Sequence, residues 1–414
     1  MLAIIRKYHS ENLLANFTKF VHRNSGITWR IMKKHFTYKI ISILVFSITT
    51  LNVGAQTDTI AGPKTKKYSF SYTLSYEQGS MISNGSEKGD QLTQSSYYNG
   101  VDLQLGFHKN NQADIYNRIY HLPVYGIGWY ASTFHQEAIG NPNAVYYFFK
   151  LPLWDNYGRK FSMSFLAAFG ISYNFNHYDS ITNPLNIYIG SDFNSYVNMA
   201  FMANYRFNCK WMADVSLGLK HFSNGSMKLP NFGINLVPVS IGLTYKPSGF
   251  KPYTGDRKKL PFTRHNQYNI ALMAAVKNYE TGGPSYLKTE LSVNWLRMLN
   301  YKFRAGIGFD ACYTATPVSE SNLEPGLSEQ MSYGIVGSAE WVLGKHFYIP
   351  IGLGFYLKHH KENDELKSYY ERIGIRYRFN NKIFAGITIK AHKDVADIFE
   401  WTVGYTFLKD NNKY

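Results

Sequence analysis

The sequence predicts an all-β protein: an antiparallel transmembrane β-barrel of the outer-membrane type, with about sixteen strands in two eight-stranded halves. Three observations carry the prediction. From Lys67 onward, apolar and polar residues alternate in segments of about ten, the pattern of strands with lipid on one side and a lumen on the other. The connections between segments alternate short and long, as barrel turns and loops do. The chain is also rich in Tyr (34), Phe (28) and Gly (33), yet its mean hydropathy is −0.29. No apolar run is long enough for a membrane helix in the mature chain, and neither a soluble α/β enzyme pattern nor a nucleic-acid module is present.

The elements follow in order. Residues 1–31 read as an upstream extension, spurious or disordered, with no assignable role. Residues 32–55 read as a secretory signal peptide. Met32-Lys33-Lys34 is its basic start, Ile40 to Leu51 its apolar core, and Val53-Gly54-Ala55 the small residues of a cleavage site before Gln56. Export through this segment would carry the chain to the outer membrane of a bacterial cell. The formal charge of +16 is partly a property of this region. Removing the eight Lys/Arg and one Glu of residues 1–55 leaves about +9. Such a balance suits an anionic glycolipid partner, although much of it would sit in solvated loops.

Residues 67–247 hold the first eight strands. Tyr68, Phe70, Tyr72, Leu74 and Tyr76 alternate with Ser69, Ser71, Thr73 and Ser75, and Val101, Leu103, Leu105 and Phe107 alternate with Asp102, Gln104, Gly106 and His108. Residues 267–408 hold eight more. Short connections are expected near Asn110, Asn156, Cys209, Asn300, Gly344 and Asn381, and long ones over Ser80–Ser96, His177–Asp192 and Thr314–Gln330. Residues 248–266 are a Pro- and Lys-rich linker. It could join two eight-stranded barrels or form a long turn in one sixteen-stranded barrel. The stretch Gly233–Tyr245 aligns without gaps on Val395–Phe407, with a shared Gly-x-Thr-aromatic ending; duplication or convergence would each produce this. Cys209 and Cys312 fall at opposite ends of the strand map, which argues against a disulfide.

The chemistry concentrates in His221-Phe222-Ser223-Asn224 and Pro230-Asn231-Phe232-Gly233-Ile234-Asn235. His221 and Ser223 share the parity of Trp211, Ala213, Val215, Leu217 and Leu219, and Asn235 that of Val237, Val239, Ile241 and Leu243. All three are therefore expected on the lipid face, where polar side chains are costly. Two residues along a strand lie about 6.6 Å apart on one face, and cross-strand neighbours approach to about 5 Å. A base, a nucleophile and an orienting group thus converge without an internal pocket.

His-x-Ser-Asn followed by Pro-Asn-x-Gly-Ile resembles the signature of the outer-membrane lipid A 3-O-deacylase, or acyloxyacyl hydrolase, family, most clearly over residues 67–247. The resemblance implies an eight-stranded barrel with His221 as general base and Ser223 as nucleophile. It further implies Asn224 and the Gly225 N–H as oxyanion donors, and Asn231 as a supporting residue. The family carries a glutamate where this chain has Asn235. An asparagine can still accept from the imidazole but cannot stabilise an imidazolium by charge.

In the second half, His392 lies on the inward parity, and Asp394 stands where a serine would be needed. Asp397 sits with it at a place comparable to the first-half motif, and with Glu400, Lys390, Arg372, Arg376 and Arg378 it reads as an interior charge network. His359-His360 reads as a solvated turn. The expected activity is that of a serine esterase removing an acyl chain from lipid A or a related outer-leaflet lipid, with no metal, organic cofactor or nucleic acid implied. The alternative is a catalytically silent barrel acting as a pore or scaffold.

Overall fold

The computed structural model describes residues 68–408 except 95–96, 110–113, 154–158, 251–260, 316–325, 361–362, 366, 380–381 and 393–394. The expected extension and signal peptide lie outside the described residues.

Sixteen antiparallel strands form two separate closed barrels, not one of sixteen strands. Barrel 1 comprises β1 (Tyr68–Ile82), β2 (Tyr97–Lys109), β3 (Val124–Thr133), β4 (Gly140–Pro152), β5 (Phe161–Phe175), β6 (Asn194–Arg206), β7 (Trp211–Ser223) and β8 (Ile234–Tyr245). Barrel 2 comprises β9 (Asn266–Asn278), β10 (Ser285–Met298), β11 (Phe303–Thr314), β12 (Met331–Val342), β13 (Phe347–Lys358), β14 (Tyr369–Arg378), β15 (Ile383–His392) and β16 (Val395–Leu408). Each strand meets or exceeds the roughly 9–11 residues that a tilted strand needs to cross a bilayer. β8 closes barrel 1 on β1, with Tyr72 opposite Tyr245. β16 closes barrel 2 on β9, with Trp401 opposite Ala274. The two aligned sequence stretches therefore occupy equivalent closing positions.

Closure leaves no free sheet edge and satisfies every ladder without water, which is what a bilayer demands. The predicted alternation is visible in burial. Val215, Leu217 and Leu219 are exposed on the outside of β7, while Asp214, Ser216 and Lys220 are buried inside. Two connections carry structure that the alternation did not announce. The first long loop contains a helix, Glu87–Gln94, and the connection after β2, expected to be short, contains another, Ile115–Ile119. Asp114 caps the latter by accepting from the N–H groups of Tyr116 and Asn117, as a helix N-terminus requires.

Both lumina are filled by side chains. At the loop end of barrel 1, Tyr98, Tyr130, Tyr146, Tyr196, Phe175 and Phe222 pack in one apolar cluster. Lys220 pairs with Glu77 beneath it and lies 3.6 Å from the centre of the Tyr130 ring. Barrel 2 is held by charge. The Arg372 guanidinium reaches Glu290 at 2.6 Å, Glu400 at 2.8 Å and Asp310 at 2.9 Å. Lys390 also contacts Glu290, at 3.2 Å, and Lys277 pairs with Asp397. Arg372, Lys390 and Glu400 are inward residues that parity predicts; Glu290, Asp310 and the Lys277–Asp397 pair join them in the structure. Buried charges persist only when paired in this way.

The barrels touch at both ends. At the turn end, the Tyr120 hydroxyl donates to Val342 O (2.6 Å) and accepts from Trp341 Nε1 (2.8 Å). Tyr147 stacks on Phe347, with centroids 5.2 Å apart. At the loop end, residues 224–233 of barrel 1 meet β9, β10 and β16.

Candidate active site

His221 and Asn235 are direct cross-strand partners on β7 and β8. Their side chains project from the lipid face, and His221 Nδ1 lies 2.7 Å from Asn235 Oδ1. With the amide oxygen turned toward it, Nδ1 carries the proton and Nε2 presents its lone pair. Behind them, Phe222 points the other way into the aromatic cluster, against Tyr196 and Phe175. A rigid apolar packing thus holds the strand segment on which both His221 and Ser223 stand.

Ser223 lies two residues further on the same face but is only 2% exposed. Its parity alone predicted an exposed position. The connection to β8 folds back over it and supplies two donors to its hydroxyl oxygen. Gly225 N–H lies 3.0 Å and Asn231 Nδ2 3.0 Å from Oγ. An oxygen that accepts twice still has its own proton to give. The Ser223 carbonyl accepts from Ser195 Oγ on β6 at 2.8 Å.

Asn224 differs from expectation. Its carboxamide is buried within the loop, donating to Ser191 Oγ at 2.8 Å and Lys228 O at 2.9 Å. Its N–H donates to Asn231 Oδ1 at 3.1 Å. In this arrangement the side-chain amide that reaches Ser223 belongs to Asn231, and Asn224 braces the loop that presents it. A carboxamide has two donors and two acceptor sites, and here Asn231 uses both ends, holding Asn224 with one and Ser223 with the other.

Gly233, quoted within the motif but given no role from sequence, has a specific one. Its φ of +72° lies in the left-handed region, which glycine adopts without steric cost. A Cβ there would sit 2.7 Å from His221 Cε1 and 3.4 Å from Nε2. The backbone therefore passes directly against the imidazole edge, and only a residue without a side chain leaves the ring in place. The single Asn-x-Gly of Asn231–Gly233 carries no periodic signal that would announce this contact.

In barrel 2, His392 points inward and meets the Tyr356 hydroxyl at 3.0 Å, with Asp397 3.8 Å away. It lies in the charged lumen, as its parity predicts. His359 Nδ1 binds Glu365 O at 2.9 Å within its loop. Cys209 is exposed and Cys312 buried, both free and in different barrels.

A closed antiparallel barrel that carries a histidine–amide pair on its outer face and, two residues along the same strand, a serine under two N–H donors defines the class: a membrane β-barrel with a polar cluster at one end. The family follows from comparison. Residues 105–244 match the family model for lipid A 3-O-deacylase, and residues 266–411 match that for the acyloxyacyl hydrolase C-terminal domain. Together the two matches run across residues 105–411, and the chain belongs to the lipid A 3-O-deacylase, or acyloxyacyl hydrolase, family, its second barrel being the part that matches the C-terminal-domain model.

A search among curated proteins returns no match. Among solved structures, an outer membrane channel from Pseudomonas putida F1 aligns at 11% identity over 85% of this chain and 100% of its own, with a TM-score of 0.19. The FrpB iron transporter from Neisseria meningitidis aligns at 7% identity over 82% of this chain and 70% of its own, with a TM-score of 0.22. Pseudomonas aeruginosa OccK3 aligns at 9% identity over 83% of this chain and 96% of its own, also with a TM-score of 0.22.

Proposed function

We propose that this chain is an outer-membrane serine esterase that hydrolyses an acyl ester of lipid A, or of a related outer-leaflet glycolipid or phospholipid. The observation that carries the reading is the His221–Asn235 contact on the lipid face, with Ser223 next on the same face under two N–H donors. The end of the barrel bearing the long loops is taken as extracellular, because short turns face the periplasm in such barrels. That orientation sets the site at the height of the outer leaflet, reached by signal-peptide export.

In this mechanism His221 Nε2 takes the proton of Ser223 as its Oγ attacks the ester carbonyl. Asn235 keeps the imidazole in the tautomer that leaves Nε2 free. Gly225 N–H and Asn231 Nδ2 now rest on Oγ and are the donors nearest a carbonyl oxygen arriving there. Transferred to the developing oxyanion, they would stabilise its charge. His221 then protonates the departing sugar hydroxyl, and water hydrolyses the acyl-enzyme. Because Ser223 is covered, the entering carbonyl must displace part of the loop from it.

The alternative of a silent pore is disfavoured by two lumina packed with aromatic and charged side chains. The test is mass spectrometry of lipid A from cells expressing the wild type, His221→Ala or Ser223→Ala. Loss of one acyl mass in the wild type alone is expected. Identical spectra from all three would sink the enzyme reading.

A further inference from the structure

The loop 224–233 is fastened on two sides. Barrel 1 holds it through Asn224 on Ser191 and through Gly233 N–H on Tyr188 O at 3.0 Å. Barrel 2 holds the other side. Asn278, the last residue of β9, donates its N–H to Ser226 O at 2.8 Å, and its Oδ1 accepts from Leu229 N–H at 3.4 Å. Ser285, the first residue of β10, donates from Oγ to Met227 O at 3.1 Å.

Phe399 completes the clamp. It shares the outward face of Trp401 and Val403, which are 58% and 59% exposed, yet it is only 6% exposed itself. The cover is Gly225. A Cβ on that glycine would lie 2.1 Å from Phe399 Cδ2, so its backbone rests on the ring. Gly225 is also the residue whose N–H meets Ser223 Oγ. Barrel 2 thus touches the residue whose N–H meets the nucleophile's hydroxyl.

We infer that barrel 2 is a positioning element for the site in barrel 1: Asn278 and Phe399 hold the loop so that Gly225 N–H and Asn231 meet Ser223. This inference rests on the reading of Ser223 as nucleophile. Two physical arguments support it. Ser226 O, Met227 O and Leu229 N–H lie at the membrane edge, where unpaired backbone groups are costly, and barrel 2 supplies their partners. Oxyanion donors are effective only when held in place before reaction, and a ten-residue connection held at its ends alone would have to be ordered at each turnover.

The experiment compares full-length wild type with Phe399→Ala, Asn278→Ala and Phe399→Leu, with Trp401→Ala as a control on the same face away from the loop. Asn278 Nδ2 also donates to Gly283 O at 2.8 Å and Pro284 O at 3.0 Å, so Phe399→Leu is the conservative variant. Three readouts are needed: kcat and KM on lipid A in mixed micelles, the rate at which a fluorophosphonate probe labels Ser223, and heat-dependent gel mobility as a measure of barrel folding.

Both alanine variants should stay folded and lose about 10- to 100-fold in kcat, the scale of a ~1 Å misplacement. Their KM should stay near wild type and labelling should slow in parallel, while Phe399→Leu and Trp401→Ala keep most of the activity. Wild-type kcat in the folded alanine variants, or a change in KM alone, overturns the inference. Full activity in Ser223→Ala with no labelling of the wild type overturns the nucleophile assignment itself, a result distinct from either.

Discussion

The imidazole of His221 and the carboxamide of Asn235 meet across β7 and β8 with Nδ1 2.7 Å from Oδ1, and each is the other's direct cross-strand partner. An amide oxygen there orients the ring as a carboxylate would but leaves a transient imidazolium without a counter-charge. Replacing Asn235 by glutamate, the acid that the related deacylases carry, should raise kcat about tenfold, equivalent to ~1.4 kcal/mol of added transition-state stabilisation. Asn235→Leu, which has no acceptor, should lower kcat about 100-fold or more, because the tautomer is no longer held. Steady-state kinetics on purified lipid A checks both. A slower Asn235→Glu enzyme would mean that the amide is itself the adapted group.

Asn231 and Asn224 should separate cleanly. Asn231 Nδ2 reaches Ser223 Oγ, whereas Asn224 spends its side chain on Ser191 and Lys228. Loss of one oxyanion donor generally costs about 10²–10³ in kcat, so Asn231→Ala should show that loss with little change in KM. Asn224→Ala should instead loosen the loop, seen as faster proteolysis between 224 and 233. Equal kinetic losses without any change in proteolysis would return Asn224 to a direct role.

Gly233→Ala should be nearly inactive in a folded barrel. The added Cβ both strains a φ of +72° and presses on His221 Cε1. Backbone strain of this kind costs roughly 1–3 kcal/mol, which a closed barrel tolerates. The displaced imidazole, however, would leave its place beside Asn235, from which the proposed mechanism has it act on Ser223. Unchanged kcat with native gel mobility would show that the ring has another place to sit.

The barrel face that carries this candidate site could be read from the chain before any coordinates. The outward parity of Val215, Leu217, Leu219 and His221 is a local, two-residue signal, and it survives into the structure because strand pleating is local too. Parity reports only which face a residue occupies, not what later covers it. Ser223 and Phe399 both read as lipid-facing, and both are buried because a loop from one barrel folds between them. The choice between one barrel and two was equally hidden, since it depends on β8 returning to β1 and β16 to β9. Such pairings are long-range and leave no periodic trace. Gly233 stood in plain view in the motif, but only the position of the imidazole explains it.

Among the described residues, Arg372 is the one cation that pairs with all three of Glu290, Asp310 and Glu400 inside barrel 2. Removing one member of a buried ion network leaves the others uncompensated, typically at a cost of about 3–5 kcal/mol. Arg372→Met should therefore lower the unfolding midpoint of the protein in guanidinium, with barrel 2 the weaker unit. If barrel 2 also holds the loop over Ser223, activity should fall at denaturant concentrations where the β7–β8 ladder is still intact. Spectroscopic unfolding and probe labelling of Ser223, followed on the same samples, resolve the order of the two events. Coincident loss of both signals would mean that the two barrels unfold as one.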